Sequence, residues 1–225
     1  PDCIFGLFIF LVWKKMKYRN IIMFLVLASC NILLLESMKK ILGYDTLLYN
    51  SLAEKLTQSQ IEAYVNFLEN WKWVSYVVSP LILFIKLLII AAIIDVGCFF
   101  FNKKIGYKKI FHIVTQAEFV FLLVGIFKTG WFYFFQQDYV FEDLQYFYPL
   151  SALSIVGHEG LQAWFIYPLQ ILNLFELAYW FILAYLIGSE LKTTTEWGLN
   201  IVMSSYGVGL LVWVVGVMFF ILNVS

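Results

Sequence analysis

Apolar residues run along this chain in long unbroken stretches, without the strict alternation of a barrel strand. Five stretches, at about 20–40, 76–101, 110–135, 163–188 and 199–223, are each roughly the twenty residues that a helix needs to cross the hydrocarbon core of a bilayer. The pattern predicts an all-α polytopic membrane protein. It is a bundle of five transmembrane helices forming one domain over residues 20–225, with amphipathic helices on the extracytoplasmic side. Residues 1–19 are set apart. The apolar piece from Cys3 to Trp13 would be only about 16 Å long as a helix, so it reads as an interfacial helix or as the tail of a further span. The basic residues Lys14, Lys15, Lys17 and Arg19 follow it. No small-residue cleavage site follows this apolar piece, so a cleavable signal is not expected.

Between the first two spans, "TQSQIEAYVNFLENWKW" has Ser59 and Glu62 at capping-box spacing, then Ile61, Tyr64, Val65 and Leu68 at helical spacing. It reads as a helix lying on the membrane surface, or as a face for a partner. The segment "DYVFEDLQYFYPLSALSIVGHEGLQ" is acidic and aromatic and is broken by Pro149 and Gly157. It predicts a short interfacial helix and a loop over the ends of spans three and four.

Lys and Arg collect before span one and in the turn "NKKIGYKK" between spans two and three, whereas residues 136–162 carry Asp138, Glu142, Asp143 and Glu159 and no Lys or Arg. Cytoplasmic loops carry the excess of Lys and Arg. The N-terminal basic segment is therefore expected inside and the C-terminus outside, in a cell membrane, either the bacterial inner membrane or a eukaryotic endomembrane.

Composition adds to this picture. Hydrophobic residues are 62% of 225 and charged residues 13%, against about half and about a quarter in soluble domains. Mean hydropathy is +0.83. Net charge is zero, and no basic tract is interleaved with aromatics, so nucleic acid is not an expected partner. The expected partners are the lipid bilayer and other membrane protein subunits. Cys3, Cys30 and Cys98 lie in apolar segments without C-x-x-C spacing and read as small hydrophobes.

The candidate chemistry is charge inside the spans. Counted from the cytoplasmic ends, Asp95 lies about 9 Å in, Glu118 about 12 Å, Glu176 about 18 Å and Lys86 about 22 Å, while Lys128 could snorkel to the outer headgroups. An ionised side chain in hydrocarbon costs at least about 2.5–3.5 kcal/mol, so each should face the bundle and find a partner. Lys86 and Asp95 point to roughly opposite faces of span two. The carboxylates of spans three and four are thus the expected partners of Lys86, with Glu176 nearest in depth. Thr115 and Asn173 lie one turn before Glu118 and Glu176 and complete the expected network. Two acids against one base leave room for one proton. In span five, Ser205, Gly209 and Gly216 align small residues on one face, which permits close packing.

His112 and His158 fall at opposite ends of the spans, so this chain would not clamp a haem between them. No H-E-x-x-H, G-x-S-x-G or P-loop pattern is present. No metal, cofactor or enzymatic activity is expected.

The basic turn leading straight into a span, "NKKIGYKKIFHIVTQAEFVFLL", and the span–turn–small-residue helix of "NLFELAYWFILAYLIGSELKTTTEWGLNIVMSSYGVG" resemble the YIP family. These are five-span membrane proteins that interact with Rab-type GTPases in eukaryotic trafficking and have bacterial relatives. The similar part runs from about Ser79 to Asn223. It implies fold and topology, with five spans and an inside N-terminus, rather than an activity. The long polar cytoplasmic region of the trafficking members is not among these residues, so GTPase binding is not expected. The richness in Phe, Ile, Leu and Lys fits a bacterial relative. Two functions are compatible with the whole. One is a non-enzymatic scaffold or accessory subunit of a membrane complex. The other is a small transporter or a proton or ion relay built on Lys86, Glu118 and Glu176.

Overall fold

The computed structural model describes residues 2–53 and 55–224, with side chains from Tyr18 onward. The protein is all-helical, with no strand among the described residues. The first helix, α1 (Asp2–Ile41), is one uninterrupted rod, so the segment expected to stand apart at 1–19 joins span one without a break. The side chains of Cys3 to Trp13 lie outside the described set. A short α2 (Tyr44–Ala53) leads to α3 (Gln58–Phe100), 43 residues long.

The capping residues are Thr57 and Gln60, whose Oε1 accepts from the Thr57 N–H at 3.0 Å, rather than Ser59 and Glu62. The helix they open does not stay on a surface as a separate element. It runs directly into span two, because nothing between Trp73 and Ser79 favours a turn and Pro80 sits within the continuing helix. Proline inside a membrane helix is tolerated where the freed backbone group is re-satisfied locally.

After a tight basic turn come α4 (Tyr107–Glu118) and α5 (Val120–Phe134), one apolar rod interrupted at Phe119. A cap of short helices follows, α6 (Phe141–Tyr146) and α7 (Ala152–Val156). Next are α8 (Ala163–Ile171) and α9 (Leu174–Glu190). The last rod is α10 (Thr195–Val202), a π-turn at Met203–Gly207 and α11 (Val208–Val224).

Among the described residues, four helices are long and apolar enough to cross a membrane: Tyr18–Ile41, Gln58–Phe100, Tyr107–Phe134 and Thr195–Val224. The fifth apolar stretch, expected as one helix over 163–188, is instead broken at Leu172 and Asn173. The break has a local cause. The Asn173 amide donates to the carbonyls of Gln170 at 2.9 Å and Ile171 at 3.0 Å, closing α8. Its Oδ1 accepts the Glu176 N–H at 2.8 Å, opening α9. Asparagine is among the strongest N-caps because its side-chain oxygen satisfies an orphan donor of the first turn. An isolated bridge pairs Asn173 with Ser151 and fastens the cap onto the break.

The core forms where α4 and α9 pack against α3, α10 and α1. Leu87, Ala91 and Ile94 meet Val114, Ala117, Tyr179, Leu183 and Ile201, all essentially without exposure. Small residues set how close the helices come. A Cβ on Gly198 would sit 2.0 Å from the Ala184 carbonyl oxygen, and one on Gly97 would sit 2.5 Å from the Ser205 Cβ. Ser205 and Gly209 therefore do line the α3 interface, with Gly209 against Ile93. Gly216 does not: it meets open space, because α11 has turned from α3 toward α8, where Trp213 Nε1 donates to the Tyr167 hydroxyl at 2.8 Å.

At the acidic-loop end, Leu42, Phe132 and Leu144 form a small second core. Lys128, read as able to snorkel to the outer headgroups, reaches into this end. Its ammonium donates to the Leu144 carbonyl at 2.5 Å, which supplies a cation near the end of α6.

Candidate functional site

Lys86, on α3, is held by Glu118, the last residue of α4, with Nζ to Oε1 at 2.5 Å. The ammonium also lies 4.5 Å from the centre of the Phe121 ring. Depth along the spans pointed to Glu176 as the closest acid; the structure pairs Lys86 with Glu118 instead. Depth does not decide it, since Glu176 lies ~21 Å from the end of α9, level with Lys86; α4 begins at Tyr107, three residues before the expected span start. Glu118 therefore lies ~17 Å from the turn and Lys86 ~21 Å, a gap two side chains can bridge. The two partners are unequally covered, with side chains 44% exposed for Lys86 and 4% for Glu118.

Glu176 is satisfied from its own neighbourhood. Its Oε1 accepts from Trp180 Nε1 at 2.9 Å and from the Tyr206 hydroxyl at 2.7 Å. As the third residue of α9 it also sits where the helix N-terminus presents its positive end. Tyr206 lies within the π-turn, which interrupts the regular ladder. Gly207, beside it, leaves room for the Trp180 ring, which a Cβ would meet at 2.8 Å. Glu176 remains within electrostatic reach of Lys86 and Glu118.

Between the two acids stands Tyr179, wholly buried, with its ring 5.0 Å from Phe121 and 5.4 Å from Tyr206. Its hydroxyl has no hydrogen-bond partner, and neither does Glu118 Oε2, although both atoms are buried. Buried polar groups are paired in the great majority of cases, so two such atoms in one cluster need a reason.

Three backbone irregularities meet at this cluster: the break after Glu118, the π-turn carrying Tyr206, and the α8–α9 break just before Glu176. At membrane depth, irregular backbone is tolerated where it is buried in protein or lines a polar cavity, and π-bulges are frequent at functional sites. The loop before α7 closes the cluster from one end. Burial, then the charges of Glu176 and Glu118, push the Tyr148 hydroxyl up to about 12.

The other sequence candidates sit around this centre. Thr115 is fully buried on α4, but its hydroxyl donates to the Phe111 carbonyl at 2.7 Å rather than to Glu118. Asn173 acts as the cap of α9 rather than as a side-chain neighbour of the Glu176 carboxyl. Asp95 is half-buried and nearer the basic turn, with Tyr107 and Cys98 in its field, and it does not join the cluster. Tyr179, Trp180, Tyr206 and Tyr148 were not anticipated. The first two were detectable, since 176, 179 and 180 fall on one helical face.

At the acidic end, His158 stacks on Tyr146 at 4.9 Å, beside a cavity of about 110 Å³ that Asp143 also lines. Among the described residues, no group of three His, Cys, Asp or Glu could hold a metal ion. No family model, curated protein or solved structure matches the chain.

Proposed function

We propose that this is a non-enzymatic multi-pass membrane protein whose working part is an intramembrane proton relay formed by Lys86, Glu118, Tyr179, Tyr206 and Glu176. The observation that carries this reading is the pair of orphaned buried atoms, Glu118 Oε2 and the Tyr179 hydroxyl. A purely structural ion pair favours full satisfaction of its lone pairs, since half-satisfied buried networks cost stability. An acceptor and a donor left open beside a carboxyl group can hold a transferable proton or the water that carries it.

In this reading α8 and α9 together make a fifth, discontinuous crossing, with the basic turn in the cytoplasm and the acidic cap outside, in a bacterial inner membrane. The distribution of Lys and Arg supports this orientation, and five crossings are also what the resemblance to the YIP family implies. Intramembrane sites of transporters are commonly built at the ends of such discontinuous helices.

A second reading keeps the charged cluster but makes the protein an accessory subunit or scaffold. It is favoured by the 44% exposure of Lys86 at the side of the bundle, where a neighbouring helix would cover it. The test is Glu118→Gln and Glu176→Gln in purified protein reconstituted into vesicles with a pH-sensitive dye inside. The relay reading expects normal assembly with proton movement lost. Proton movement unchanged from wild type overturns it, and loss of assembly with no proton movement in the wild type favours the scaffold.

A further inference from the structure

We propose that the cavity at the acidic-loop end is a binding site for a methylated ammonium group, carried either by a small solute or by a lipid headgroup. The proposal does not depend on the relay reading above. Two walls of the cavity, Phe132 and Phe147, meet edge to face, with ring centres 5.2 Å apart and planes at 74°. A third wall is Tyr146, extended by the imidazole of His158 stacked on it at 26°. Rings set at steep angles around a small space form a cage suited to a cation, because each ring face carries the negative end of a quadrupole. Phe132 packs on Tyr139 at 4.8 Å and Phe147 stacks on Trp131 at 5.6 Å, so the corner is held in place without a ligand. At about 110 Å³ the space suits a small head group rather than a drug-sized molecule.

The charge at this end suits the same ligand. Asp143 lines the cavity half-buried, and its Oδ2 accepts the Val140 N–H at 3.0 Å, which fixes the carboxylate in position. It forms no ion pair among the described residues. Lys128 gives its ammonium to the Leu144 carbonyl instead. Residues 136–162 hold Asp138, Glu142, Asp143 and Glu159 and no Lys or Arg, so the local field favours a positive ligand. Methylation follows from the shortage of acceptors. A primary ammonium brings three donors that each want one. Besides the Asp143 carboxylate, the wall offers the Gln136 carbonyl oxygen, already taken by Trp131 Nε1 at 3.2 Å, and the Ser154 hydroxyl, which donates to the Ser151 carbonyl. A quaternary ammonium asks for no hydrogen bonds, only for a counter-charge and ring faces.

The test is calorimetric titration of the full chain, in nanodiscs of phosphatidylglycerol, with choline, tetramethylammonium and ethanolamine. Choline and tetramethylammonium should bind saturably, and ethanolamine at least roughly tenfold more weakly. Asp143→Asn keeps an oxygen for the Val140 N–H while removing the charge, and should weaken choline binding by roughly tenfold or more. Phe147→Leu, which removes one wall, should weaken it similarly and serves as the second variant. Nanodiscs containing phosphatidylcholine separate the two sources: choline binding lost there assigns the site to a lipid headgroup, and binding retained assigns it to a solute. The proposal is overturned if choline shows no saturable binding below about 10 mM or if ethanolamine binds as tightly. It is equally overturned if either variant, folded by circular dichroism, binds choline as the wild type does.

Discussion

An ammonium deep in an apolar helix is tolerated here because Lys86 has a carboxylate at 2.5 Å and an aromatic ring beneath it. The partners are not equivalent: Lys86 can shift toward whatever surrounds the bundle, whereas Glu118 cannot leave its buried seat. Removing one member of a buried pair strands the other, at about 3–5 kcal/mol, while replacing both with apolar residues is often near neutral. Lys86→Met should therefore destabilise the protein by about 3 kcal/mol, and Lys86→Met with Glu118→Leu should recover most of that loss in thermal unfolding in detergent. Equal losses in the single and double variants would show that the pair is not coupled. The three charges were legible from their depth in the spans. Their pairing was not, because depth says nothing about rotation around a helix: Glu176 matches Lys86 in depth, yet Glu118 takes it.

Hydropathy also failed at the element scale where one polar side chain outweighed its neighbours. Over 163–188 the apolar signal is continuous, yet Asn173 ends one helix and starts the next with three hydrogen bonds. Windowed apolarity cannot register a cap, although Asn-x-x-Glu after Pro168 was a local hint. Small residues show the reverse case. The alignment of Ser205, Gly209 and Gly216 was readable, but only the approach of α3 decides which of them matter. The tightest contact, Gly198 against the Ala184 carbonyl, lies outside that alignment. Gly198→Ala should cost about 1–3 kcal/mol or more, since backbone atoms cannot yield as a flexible side chain can. Gly216→Ala should stay within about 0.5 kcal/mol of wild type. Thermal unfolding of both variants checks the contrast, and equal effects would contradict the packing.

For the molecule as a whole, the element that decides the topology is α8–α9, whose two pieces are ~13 and ~25 Å long. In the proposed five-crossing topology, cysteines placed at Glu159 and at Lys192 lie on opposite sides of the membrane. In a background with Cys3, Cys30 and Cys98 replaced, an impermeant thiol reagent added to cells should label the first directly and the second only after permeabilisation. Labelling of both from one side would make α8–α9 a re-entrant element and place the C-terminus with the basic turn.

The sequence by itself determined the class of molecule, since continuous apolar runs leave a chain nowhere stable but a bilayer and no backbone pattern there but the helix. It also determined which residues would be costly in that setting, because the cost of charge in hydrocarbon is a property of each side chain. Tertiary structure alone decided that Lys86 takes Glu118, that Tyr206 and Trp180 take Glu176, and that Tyr179 is left without a partner between them. Those outcomes depend on the rotation and closeness of helices far apart in the chain, which are set by packing against Gly97 and Gly198 rather than by any local pattern.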